Sequence, residues 1–169
     1  MPKPKNSLLT EEKTDSNHIY FSFAYTLGQC VTIKSKSFSF TNRIPLKELR
    51  KYRTILENAL KDWSTKSIQQ LEKSRKCYLV QEKDKQTKNN LTKVFQSAKY
   101  PAQWIEQNIQ DPDVYKFKID NQIRMFGIVE RNMVKILLYD IWHLINKSQK
   151  KNFSIPQNLT CAWCLKGCD

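Results

Sequence analysis

Glycine is scarce: three residues in 169 leave no room for a Gly-rich phosphate loop and argue against a turn-dense sandwich. Long apolar runs are missing as well, and nothing approaches the roughly 18 consecutive residues that a membrane-spanning helix needs. Histidine occurs twice, at positions 18 and 143, so groups that titrate near neutral pH are few. No paired carboxylates stand at catalytic spacing, and no Ser-His-Asp ordering stands out. These absences set aside ATP-dependent, nicotinamide-dependent and protease-type chemistries. Residues 1–18 stay polar and charged up to Ile19, without the apolar stretch of a secretory leader, so the expected location is cytoplasmic.

Aromatic residues are plentiful. Eight Phe, seven Tyr and four Trp exclude a disordered chain, and the length suits one domain with an ordinary core. Twenty-nine Lys and Arg face 16 Asp and Glu, for a net charge of +13. Residues 45–110 hold 14 of those bases against seven acids, so the excess is concentrated there. Such a surface suits a polyanion, because neutralised phosphates release condensed counterions. The plainer reading is a set of solvated, Lys-rich helix faces.

Periodicity divides the chain. Residues 1–17 show little pattern and read as a loose arm. Ile19, Phe21 and Phe23 alternate with Tyr20, Ser22 and Ala24, which predicts a first strand. Residues 30–40 read as a weaker strand or an extended loop. From Pro45 the spacing becomes helical: Leu46, Leu49, Leu56, Leu60 and Trp63 form one stripe, and a short second helix carries Ile68 and Leu71 inward. Residues 81–90 read as a polar loop, with a further helix over Leu91–Ala98. Strands over 114–119, 122–129 and 133–142 follow, joined by tight turns into an antiparallel meander. The expected fold class is α+β: an N-terminal strand and a helical hairpin packed on a C-terminal antiparallel meander. One domain spans 19–147, followed by a basic tail over 148–169.

A few residues are candidates for chemistry. His143 directly follows the last strand and could serve as a general acid or base, or simply bond a loop carbonyl. Arg124, with Lys116 or Lys118 across the strands, could hold a phosphate; otherwise it pairs with Asp120 or Glu130. Tyr139 and Trp142 could stack a base, though such residues are more often core. Lys47, Arg50, Lys51 and Lys61 line the polar side of the first long helix and make a candidate RNA-binding face. Cys161, Cys164 and Cys168 have metal-like spacing but lack a fourth clustered ligand, so no metal is expected. In a reducing cytosol their disulfides are not expected either.

Tyr115-Lys116-Phe117-Lys118-Ile119, Ile123-Arg124-Met125-Phe126-Gly127 and Ile136-Leu137-Leu138-Tyr139-Asp140-Ile141-Trp142-His143 together resemble the C-terminal sheet of the RelE/ParE-type toxins. The preceding strand and helical hairpin extend the resemblance over about residues 19–147. It implies a RelE-like fold and a metal-independent endoribonuclease, the toxin of a toxin–antitoxin pair, acting on RNA at the ribosome without a cofactor. The substrate's own 2′-hydroxyl would be the nucleophile. By position, Arg124 would clamp the scissile phosphate, His143 would protonate the leaving 5′-oxygen, and Lys116 and Lys118 would add charge stabilisation. An acidic antitoxin protein would be a partner. Leu144 departs from the Tyr that some members place after the His, and no glutamate base is assigned. Two readings from other classes compete: a non-catalytic nucleic-acid-binding module, and a basic protein-interaction module of an inhibitor or defence system.

Overall fold

The computed structural model describes residues 18–81, 84–146 and 158–161. The 1–17 arm and most of the 148–169 tail lie outside them. Its centre is a five-stranded sheet. The meander supplies β6 (Val114–Lys118), β7 (Arg124–Glu130) and β8 (Met133–Asp140), while β1 (Tyr20–Ser22) and β5 (Cys77–Leu79) form the edges in the order β1-β8-β7-β6-β5. The meander is antiparallel, as its alternation predicts. β1 runs parallel to β8, with Phe21 opposite Val134, so the sheet is mixed. Two smaller ladders complete the strands: β2 (Thr32–Lys34) with β3 (Ser39–Thr41), and β4 (Arg43–Pro45) with β9 (Leu159–Cys161). The second ladder returns part of the expected tail to the body of the fold.

Helices cover both sheet faces. On one lie α1 (Leu49–Trp63) and α2 (Ile68–Lys73), which press Tyr52, Leu56, Trp63 and Leu71 onto Phe117, Met125, Val134 and Ile136. Leu49 and Leu60 are partly buried there, whereas Leu46, in the 3₁₀ turn before α1, is 68% exposed and leaves the predicted stripe. Ser67 caps α2 with a capping box to Gln70. On the other face lie α3 (Lys85–Ser97) and α4 (Ala102–Ile105), the latter continued by the π-helical segment Glu106–Gln110. Leu91, Val94 and Phe95 pack there against Val114, Phe126 and Leu138, together with Phe38 and Phe40 of the β2–β3 hairpin.

Two expectations are corrected. Residues 85–90 are helical rather than a loop, because Asp84 accepts from the Thr87 amide and caps α3 seven residues before its apolar stripe begins at Leu91. β5 has no period of its own at three residues and was not expected. Between β7 and β8 the register slips: Phe126 faces Leu138 and Gly127 faces Ile136, so Leu137 is an extra residue and joins Leu138 on the α3 side. A Cβ on Gly127 would lie 2.8 Å from the Lys135 carbonyl oxygen, so the close approach requires glycine.

Candidate anion-binding corner

The α3 side of the sheet is apolar until its final rows, where the register brings charge together. Lys116 lies opposite Tyr78 on β5 and Phe126 on β7, while Arg124 lies between Lys118 and Asp140. Strand alternation sends these side chains to one face. His143 follows three residues beyond Asp140, and its charge is coupled to those of Arg124 and Lys116. Four of the predicted residues (Lys116, Lys118, Arg124 and His143) therefore share one end of one face.

Asp140 builds this corner. It is fully buried and accepts from the Leu144 amide (2.7 Å) and the Ile145 amide (2.8 Å). Its own carbonyl accepts from the His143 amide at 3.4 Å, and His143 sits in the left-handed region at φ 55°. The turn that aims His143 is thus closed from within. Burial pushes the Asp140 carboxyl up to about 6, although the backbone donors and the Arg124 charge oppose the rise. Asn90 of α3 donates to the Ile145 carbonyl and Asn146 to Asp84, tying this turn to the start of α3.

Arg124 is 9% exposed and clamps the β6–β7 turn. Its Nη1 donates to the carbonyls of Asp120 (2.8 Å) and Ile123 (2.9 Å), and its Nη2 donates to that of Asn121 (3.3 Å). Asp120 supports the same turn by accepting from the Gln122 and Ile123 amides. The guanidinium remains charged, although burial lowers its pKa. Half-buried Lys116 is likewise lowered, chiefly by desolvation and also by Arg124, with Asp84 pulling the other way. Burial is the first cause of the lowered His143 pKa, ahead of the repulsion from Arg124 and Lys116. Its imidazole is therefore mostly neutral at pH 7.

The other predicted residues lie elsewhere. Tyr139 belongs to the core on the α1 side and is 5% exposed, which leaves no open ring face for a base; burial raises its hydroxyl pKa. Trp142 packs edge-on against Tyr52 and donates to the Arg43 carbonyl. Lys47, Arg50, Lys51 and Lys61 are exposed, but on the helix layer across the sheet from the corner. Cys30 is disulfide-bonded, contrary to the expectation of reduced cysteines, whereas Cys77 is a buried free thiol. Cys164 and Cys168 fall outside the described residues. Among the described residues no cluster of three or more metal-binding side chains occurs, and no helix is long and apolar enough to cross a membrane.

Sequence reading missed Asp140, Tyr78 and Asp84. The first was detectable as a lone acid inside an otherwise apolar run. The other two line a cleft of about 190 Å³ beside the corner, together with Leu79, Val80, Gln81 and Lys116. Comparison with curated proteins and with solved structures finds no match. A family model covers residues 32–165, and the chain belongs to that family, described as Uncharacterised protein UU032.

Proposed function

We propose that this protein binds RNA through its phosphates at the Lys116–Arg124–His143 corner. The observation that carries the reading is the gathering of three cationic or ionisable side chains at one end of one sheet face, in a chain of net charge +13. A phosphate there would receive donors from Lys116 and His143 and the field of Arg124, whose turn contacts fix it as a stationary charge. The exposed cations of α1 extend the basic surface to other parts of a longer strand. The test is fluorescence anisotropy with a short single-stranded RNA: Lys116→Glu is expected to weaken binding at least tenfold, and an unchanged affinity overturns the proposal.

Metal-independent, toxin-like cleavage at the ribosome is a second reading, favoured by the location of His143. A mostly neutral imidazole can accept the proton of a 2′-hydroxyl as that oxygen attacks the phosphorus, and the P–O5′ bond breaks to leave a 2′,3′-cyclic phosphate. The imidazolium so formed gives its proton to the leaving 5′-oxygen, the role the resemblance implies for it, and the two neighbouring cations would stabilise the charge that develops on the phosphate. Incubation with RNA in EDTA tests it: cleavage that persists in wild type and disappears in His143→Gln supports it, and intact RNA rejects it. An acidic protein partner, such as an antitoxin, would compete for the same surface. An RNA target places the chain in the cytoplasm, where thiols are kept reduced, and the Cys30 disulfide stands against that location. Alkylating free thiols before lysis decides the matter: a labelled Cys30 agrees with the cytoplasm, and a protected one does not.

A further inference from the structure

We infer that the cleft beside the corner is a base-stacking subsite, in which the ring of Tyr78 receives one nucleobase of a single-stranded RNA. The inference rests on the RNA reading above and assigns the neighbouring nucleotide its place. Tyr78 is 41% exposed on the edge strand β5 and lines the cleft. It lies opposite Lys116 in the β5–β6 ladder, and therefore on the same face as the phosphate-binding cations. A base on Tyr78 would thus sit next to a phosphate on Lys116, the alternation of ring and cation that single-strand binding grooves use.

The cleft has a matching size and lining. At about 190 Å³ it is smaller than the roughly 300–1,000 Å³ typical of small-molecule sites, which suits one planar base and not a whole nucleotide. Val80, buried in the core on the α3 side, gives it an apolar wall. Gln81 and Asp84 bring polar groups to its rim. Asp84 already accepts from the Thr87 amide and from Asn146, so its carboxylate is held in place by the fold. Stacking then supplies affinity that tolerates different bases, because every base has a π face.

The experiment compares two probes on the full chain: a fluorescent single-stranded 10-mer RNA, and the same strand made abasic throughout. Tyr78→Ala is expected to weaken the base-bearing strand by roughly 5- to 150-fold while leaving the abasic strand unchanged. Tyr78→Phe retains the ring and is expected to bind both as wild type does, which also controls for folding. Equal loss on both probes, or loss on neither, overturns the subsite while RNA binding stands. Failure of the wild-type protein to bind either probe overturns the RNA reading itself, and the subsite with it.

Discussion

The two faces of the central sheet are covered by helices of similar length, α1 with 15 residues and α3 with 13, but they end differently. Under α1 the packing is apolar to the last row, from Trp63 on Phe117 to Tyr52 near Ile119 and Ile123. Under α3 it stops short. Beyond Phe126 and Leu138 the next cross-strand row is Lys118, Arg124 and Asp140. Desolvated charge lowers stability unless it is well paired, so the second face gives up part of its burial. The comparison assigns folding stability chiefly to the α1 face and anion chemistry to the α3 corner.

The largest effect should appear where the first face is tightest. Trp63 is 2% exposed and contacts the rings of Phe21 and Phe117. Trp63→Ala is expected to cost about 3–5 kcal/mol in urea unfolding. Lys116→Met, which removes a partly desolvated cation, should leave stability unchanged or raise it slightly while weakening RNA binding. If Lys116→Met destabilised the fold as much as Trp63→Ala, the division between the faces would break.

A smaller loss, specific to the corner, is expected at Asp140. Asp140→Asn keeps one acceptor and replaces the other with a donor, leaving the Leu144 or Ile145 amide unpaired at about 1–3 kcal/mol. The pH dependence sharpens the assignment. The folded carboxyl, at about 6, lies above the ordinary unfolded value of about 4, so the native state binds the extra proton between them. Its contribution to stability is complete below pH 4, declines as pH rises from 4 to 6, and is level above that. The stability difference between wild type and Asp140→Asn should change over this interval; a flat difference would show that the carboxyl is not held in its buried, raised state.

Legibility in the sequence followed the same division between faces. The apolar face could be read from spacing: Leu56 and Trp63 recur at helical intervals, and Phe117 and Met125 alternate on their strands. The corner was read in part. Arg124 and Lys116 alternate with apolar neighbours, which put them on one face, but nothing local showed that α3 would begin at Asp84 and tie the 145–146 turn to itself. Tyr139 misled because a bulge is invisible to periodicity: the extra residue at Leu137 reverses the facing of everything after it. β1 joining β8 in parallel, and β9 pairing with β4, depend on contacts more than 100 residues apart, which no window of sequence contains.

A still smaller effect tests His143. Its imidazole is mostly neutral at pH 7 because burial and the adjacent cations disfavour the charged form, and a bound phosphate would favour it. Binding should therefore take up a proton, with affinity rising by at most about tenfold per unit as pH falls below 6.5. Asp140 also titrates in this range and Lys116 faces the same space, so the useful comparison is wild type against His143→Gln, in which both remain. The variant should show the flatter profile. Identical profiles would remove His143 from the site.

The least perturbing change is on the opposite helix layer. Lys47, Lys51 and Lys61 are exposed, and the one ion pair among them, Lys51 to Glu48, is long at 4.0 Å. Reversing all three to Glu should alter stability by only about 0.5 kcal/mol, since exposed pairs contribute little. RNA binding is the more sensitive measure. For a single strand, each phosphate contact contributes about 0.7 to the slope of log K against log[salt]. A strand that wraps from the corner onto α1 should lose up to about 2 from its slope in the triple variant and remain sensitive to Lys116→Glu, because the corner is intact. A strand confined to the α3 side should keep its slope, and the basic surface of α1 would then serve something other than RNA. The slope thus measures how far the bound strand extends from one face of the sheet to the other.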